Sequence, residues 1–281
     1  AFAHCSSLTS ITLPESVTKI GMNAFYECSN LTNINIPKSV TEIESMLFAG
    51  CSSLTSITIP ESVTEIWYEA FKDCSSLTSI SIPGSVTMID RDVFSGCSSL
   101  TVVKSDPKFT NDFYPSRSTI KEFIIPESVA EIRGGDLSGI TSYLTSLSVA
   151  KNNKTYDSRE DCNAIIHTES NTLIRGCADT IIPESVTEID RGAFWGCDSL
   201  TNIHIPKSIT SVGYSPFIGC PNLRSISVDK DNKYYDSRED CNAIIHTGSN
   251  TLVRGCKNTI IPDSITKIGR TAMQDCLTIT S

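Results

Sequence analysis

Cysteines are the reactive residues that recur at fixed spacing in this chain of 281 residues, which holds 12 of them. Cys5, Cys28, Cys51, Cys74 and Cys97 stand at a constant interval of 23 residues. Thiols in such a row suggest metal binding or redox chemistry. Zinc sites, however, need paired ligands, typically Cys-x-x-Cys or cysteine with nearby histidine. No Cys-x-x-Cys occurs, and no histidine cluster accompanies the row. The spacing therefore predicts small buried side chains stacked turn upon turn, a common fate of free cysteine.

Cys162/Cys177 and Cys241/Cys256 allow a second chemistry. A tight turn at Glu169-Ser170 predicts pairing of His167 with Thr172, Ile165 with Ile174 and Cys162 with Cys177. Opposed residues of an antiparallel pair approach the separation a disulfide tolerates. Cys177 and Cys256 also occupy inward leucine positions, so free thiols are the preferred reading. Asp229-Lys230-Asp231-Asn232 resembles the start of a calcium loop, but the duplicate segment at Ala150–Asn153 loses both carboxylates and the downstream Gly and Glu are missing. A solvated loop is the expectation there. His4, His167, His204 and His246 lie beside no nucleophile signature. The sequence thus yields no catalytic, cofactor or metal residues.

The elements that position these side chains follow from the repeat. Ser52–Ile66 reads Ser-Ser-Leu-Thr-Ser-Ile-Thr-Ile-Pro-Glu-Ser-Val-Thr-Glu-Ile, and near-copies start at Ser6, Ser29, Ser75 and Asp198. Self-similarity at this period indicates a solenoid. Within the unit, Leu54, Ile57 and Ile59 form an L-x-x-L-x-L strand with Ser56 and Thr58 outward, and Pro60 stops its ladder. Val63 and Ile66 face in from a second extended segment. Phe71 and Cys74, three apart, predict one helical turn. Leading apolar residues Leu8, Leu31, Leu54, Leu77, Leu100, Ile120, Leu144, Cys177, Leu200, Leu223 and Cys256 give about eleven turns of a mostly β solenoid. Regular turns span 1–103 and 184–228. Irregular or inserted segments span 104–143, 150–177 and 229–256, the last two ending in near-identical β-hairpins 79 residues apart. Residues 1–281 read as one solenoid domain that opens and closes inside repeats, hence as a piece of a longer chain.

Outward strand positions form a polar, uncharged stripe: Ser10, Thr12, Asn33, Asn35, Ser56, Thr58, Ser79, Ser81, Asn202, His204, Ser225 and Ser227. Their hydroxyls and amides could bond a glycan or a peptide backbone. They could equally just cover a solvated sheet, since the stripe lacks the aromatic or arginine anchors of most interfaces. Candidate anchors sit instead on the inserts: Phe109, Phe113, Tyr114, Tyr156, Tyr234 and Tyr235.

The unit Ala-Phe-x-x-Cys-Ser-x-Leu-Thr-x-Ile-x-Ile-Pro-x-Ser-Val-Thr-x-Ile resembles the BspA-like class of leucine-rich repeats. Phe25-Tyr26-Glu27-Cys28 through Ile43 and Phe194-Trp195-Gly196-Cys197 through Val212 carry it cleanly, as does the Asn-Ala-Ile-Ile hairpin. The resemblance implies a right-handed curved solenoid, location in a secreted or cell-surface protein, and adhesion to host extracellular proteins. It brings no catalytic residues.

A net charge of −9 argues against nucleic acid or an anionic membrane as partner. No apolar run approaches the ~20 residues of a spanning helix, so no membrane insertion is expected. The expected function is non-enzymatic recognition at the cell surface, with a host extracellular protein or glycan as partner. The alternative is a structural spacer projecting another domain.

Overall fold

Short β-branched strands ending at proline can form only brief ladders, so each coil is built from pieces two to five residues long. In the computed structural model, which describes all residues except 107, 109–118, 134–135, 138–139, 141, 275 and 277–281, these pieces stack in parallel. The chain divides into two units, Ala1–Ile140 and Thr141–Ser281, the boundary falling inside the irregular 104–143 segment. Both are leucine-rich-repeat coils, about nine turns in all. The eleven leading apolar residues overcount slightly: the strand opened by Leu100 runs into the irregular segment from 104 with no Pro-x-Ser-Val segment of its own.

In the first unit, Ser79–Ser81, Val102–Lys104 and Glu122–Ile125 pair in parallel, placing Ile80, Val103 and Phe123 in one buried column. A second wall aligns Glu42–Ile43, Glu65–Ile66 and Met88–Ile89. In the second unit Asn202–Ile205 pairs with Ser225–Val228, while Thr172–Gly176, Glu188–Ile189 and Ser211–Val212 form the other wall. Leu54, Ile57, Ile59, Val63, Ile66, Phe71 and Cys74 are all buried, as the repeat pattern predicts. Each large apolar side chain so buried contributes about 1.5–3 kcal/mol.

The Ala-Phe-x-x-Cys segment is not a helical turn. Asn23, Phe25 and Glu27 donate their N–H groups to Ser45, Leu47 and Ala49 of the next coil, at 3.2, 3.0 and 2.7 Å. The alternate residues Ala24, Tyr26 and Cys28 bond back three residues within their own coil. A helix would send every N–H along its own axis and leave successive coils unlinked. The alternation requires left-handed residues four apart: Asn23 and Glu27 (φ 57° and 53°), Glu69 and Asp73 (54° and 56°), Gly192 and Gly196 (63° and 73°). Side chains other than glycine and asparagine adopt this region at a cost, here offset by bonds to the neighbouring coil.

The hairpin inserts are part of the wall. Thr172–Gly176 lies parallel to Glu188–Ile189 and so replaces the second extended segment of a regular repeat. On its other side it pairs antiparallel with Ala164–His167, which pairs with Tyr156–Asp157. The copy uses Tyr235–Asp236, Ala243–His246 and Thr251–Gly255. Gly176 stands where a regular coil carries phenylalanine, and a Cβ there would run into the Phe194 ring.

Candidate functional site

The cysteine row is a hydrogen-bond ladder. Cys28, Cys51, Cys74 and Cys97 donate Sγ–H to the carbonyls of Phe2, Phe25, Phe48 and Phe71 in the preceding coil, at 3.1–3.2 Å. Cys220 does the same to Phe194 at 3.1 Å. Each carbonyl already accepts the N–H of its own coil's cysteine, so the thiol fills a second lone pair that serine would fill only with a more polar group. Burial pushes the thiols of Cys51 and Cys97 up to about 12 and those of Cys74 and Cys197 well above their ordinary value. Thiolate chemistry is thereby suppressed. Ellman's reagent should label Cys5 and Cys276 in the native protein and the ten buried cysteines only on unfolding. Unfolded thiols ionise near 9.0, whereas buried Cys51 and Cys97 keep their protons to about 12. Unfolding therefore releases protons in that window, and stability falls as pH rises through it. Urea melts between about pH 8 and about pH 11 should show this slope, flattened in Cys51→Ala.

All four hairpin cysteines are free thiols. The predicted pairing fails because Ile174 is bulged: His167 faces Thr172 and Ile166 faces Leu173, but Ile165 then faces Arg175 rather than Ile174. Cys162 and Cys177 consequently donate to the carbonyls of Ala164 and Asn163, at 3.7 and 3.3 Å. Cys256 repeats this on Asn242 at 3.3 Å, and Cys241 is likewise buried.

The insert tyrosines separate. Tyr156 and Tyr235 are buried, which corrects the expectation that they anchor a ligand. Their rings meet His167 and His246 edge-on at 5.7 Å, and the Tyr235 hydroxyl accepts the N–H of Val212 at 3.1 Å. Alternation along a short strand turns one of two adjacent tyrosines inward, and only Tyr234 is exposed. Phe109, Phe113 and Tyr114 lie outside the described residues.

The duplicated polar motif of the inserts is a clamp. Arg159 holds Asp157 through Nε and Nη2 at 2.8 and 2.6 Å and reaches Asn171 Oδ1 at 2.7 Å. Arg238, Asp236 and Asn250 repeat it. Burial raises the Asp157 carboxyl, but the Arg159 bonds outweigh it and hold it below the ordinary value. Asn232, from the segment resembling a calcium loop, is consumed by four backbone bonds (Pro206, Ile209, Tyr234 and Tyr235) of 2.8–3.0 Å. Among the described residues no group of three His, Cys, Asp or Glu gathers as a metal would require. No helix among them is long and apolar enough to cross a membrane.

On the strand face Ser10, Thr12, Asn33, Ser56, Thr58 and Ser81 are exposed in the first unit, while Asn35 and Ser79 are half-buried. Asn35 is committed to the backbone of Leu13, accepting at 2.8 Å and donating at 3.0 Å. In the second unit Asn202, His204, Ser225 and Ser227 are exposed. His204 and Ser227 join across adjacent strands at 2.9 Å. Two residues of this face escape the polar-stripe reading. Ile181 and Ile260, 74% and 70% exposed, hold the outward position that Thr58 holds in a regular coil. Their signal is the doublet Ile-Ile-Pro, shared with the half-buried Ile124 of Ile124-Ile125-Pro126, where the regular repeats carry a polar residue before Ile-Pro.

Six copies of a BspA type leucine rich repeat region match residues 1–111 and 176–281. No curated protein matches the chain. Among solved structures it is similar to a leucine-rich cell surface protein of Faecalibacterium prausnitzii, with 30% identity and a TM-score of 0.42 over 78% of this chain and 60% of that one. It is also similar to a leucine-rich repeat protein of Bacteroides ovatus, with 24% identity and a TM-score of 0.37 over 85% and 83% of the two chains. The pneumococcal vaccine antigen PcpA matches at 16% identity and a TM-score of 0.42 over 96% and 86%. The chain thus spans about 60% of the length of the Faecalibacterium protein. With its repeats matched over residues 1–111 and 176–281, the chain belongs to the BspA-type leucine-rich-repeat family.

Proposed function

We propose that this chain is a non-enzymatic recognition module of a secreted or cell-surface protein, adhering to a host protein or glycan. The observation that carries this is the strand face. Parallel pairing in register aligns Asn202 with Ser225 and His204 with Ser227, so short polar groups repeat at the strand spacing of about 4.8 Å. Such a row offers weak contacts that add by multivalency. The thiol of Cys97 is committed to a carbonyl, and Arg159 and Arg238 are committed to their aspartates. The spacer alternative has in its favour that the stripe carries no aromatic or arginine anchor.

The test is binding to arrays of extracellular-matrix proteins and glycans by the native protein and by His204→Glu and Ser225→Glu. Affinity for the recognised ligand should fall about tenfold or more, with stability changed by about 0.5 kcal/mol or less, as expected of exposed positions. Binding of nothing on either array would favour the spacer.

A further inference from the structure

The coil tracts that carry the phenylalanine column present a second surface, on the side formed by the left-handed residues. In the first unit its aromatics are hemmed in by acidic neighbours. Tyr26 bonds Glu27 and Tyr68 bonds Glu69, which raises both hydroxyl pKa values, and Lys72 closes on Glu69 at 2.8 Å. The second unit differs. Trp195 and Tyr214 are each 46% exposed and Tyr143 is 40% exposed. Glycine occupies positions 192, 196 and 219 around Trp195. A Cβ on Gly219 would lie 3.6 Å from the indole Cδ1 and one on Gly192 3.7 Å from Trp195 Cβ. The indole thus lies along a shelf stripped of side chains.

Backbone bonds hold the three aromatics on neighbouring stations. Gly192 donates to the Tyr214 carbonyl at 3.3 Å, and Trp195 donates to Gly192 at 2.8 Å. Ser142, adjacent to Tyr143, donates to the Gly196 carbonyl at 2.8 Å and accepts from Ser199 at 2.8 Å. The Arg191 guanidinium lies over the Tyr214 ring, 5.7 Å from its centroid. In sequence the charges flanking Trp195 are Arg191, Asp190 and Asp198, in a chain of net charge −9.

We propose that Trp195, Tyr214 and Tyr143 form a platform for a neutral oligosaccharide. Exposed rings beside glycines match the apolar C–H faces of pyranose rings, and the Arg191 guanidinium against the Tyr214 ring supplies donors suited to hydroxyls. The local excess of carboxylates disfavours sulfated, sialylated or phosphate-rich partners. A protein partner would draw on an apolar surround and a pocket around the hot spot, which a glycine shelf does not supply. The inference rests on the recognition reading and deepens it by naming a ligand class for a second surface.

The test uses an array of neutral oligosaccharides, followed by titration of the bound sugars into Trp67→Phe, which leaves Trp195 as the sole indole reporter. A saturable change in Trp195 emission is expected. Trp195→Ala and Tyr214→Ala should each weaken binding about tenfold or more, while Lys207→Ala, at an exposed position outside both surfaces, leaves it unchanged. Unchanged circular dichroism and melting of the alanine variants show that the coil persists. Absence of binding to every neutral oligosaccharide overturns the proposal, as does binding that survives Trp195→Ala. Protein binding through the strand face without sugar binding overturns this inference and leaves the recognition reading standing.

Discussion

Replacing Phe71 with alanine is expected to destabilise the first unit by about 3–5 kcal/mol. Phe71 is fully buried, and its ring stacks between Phe48 and Phe94 with centroids 5.5 Å away on each side. The neighbours have little freedom to collapse into the void. Phe71 N–H bonds Val93 O at 2.9 Å, and Phe71 O accepts both Cys74 N at 3.2 Å and Cys97 Sγ at 3.1 Å. These bonds hold the coil spacing whatever the side chain, so the cavity stays open and its cost is retained. Phe71→Leu, which refills most of the volume, should cost less than half as much. Urea denaturation followed by circular dichroism measures both. A loss below about 1 kcal/mol in the alanine variant would mean that adjacent coils close up and that the column is compressible.

Asn232→Leu should cost about 3 kcal/mol or more, although the side chains are similar in size. The asparagine donates to Pro206 O at 2.8 Å and Ile209 O at 3.0 Å, and accepts Tyr234 N and Tyr235 N at 2.9 Å each. Leucine would strand the Ile209 carbonyl and two N–H groups, leaving Pro206 O only the Ile209 N–H at 3.2 Å, and an unmatched buried group costs about 1–3 kcal/mol. Asn232→Asp is the sharper variant. It keeps the acceptor for both tyrosine N–H groups but turns a negative oxygen toward two carbonyls. It should therefore remain destabilising near neutral pH and recover in part as acid protonates the carboxyl. Hydrogen exchange at Tyr235 and Val212 reports the local consequence, because the Tyr235 hydroxyl accepts the Val212 N–H at 3.1 Å. An aspartate variant as stable as the native protein would show that Asn232 does not hold the insert to the coil.

Both predictions concern residues whose type was readable in sequence and whose role was not. The phenylalanine and cysteine recur with the repeat, and their burial follows from that recurrence. The helical turn expected at Phe71–Cys74 fails because spacing of three is shared by a helix and by successive tight turns. Only the presence of a neighbouring coil, taking every second N–H, decides between them. Likewise the hairpin was legible from Ile165/Ile166 and Leu173/Ile174, yet one bulged residue moved Cys177 out of register with Cys162. The duplicate segment carries the same bulge, between Ile244 and Ile245, yet strand alternation alone does not reveal an extra residue in one strand.

Candidate-site residues divide in the same way. Ser56, Thr58, Asn202 and Ser225 lie outward as strand alternation requires, because a period of two needs no tertiary information. Tyr156 and Tyr235 turned inward, since the inserts join the wall instead of projecting from it.

By itself, then, the amino-acid order determined the repeat, the β character, the inward columns and the family, because each depends on periodicity along the chain. The tertiary structure alone decided how the coils are tied together: the left-handed pairs, the thiol-to-carbonyl ladder, the bulged hairpins and the glycine shelf beneath Trp195. Those features depend on which carbonyl or ring of the next coil arrives opposite each residue, and coil-to-coil hydrogen bonding sets that geometry across more than twenty residues of intervening chain.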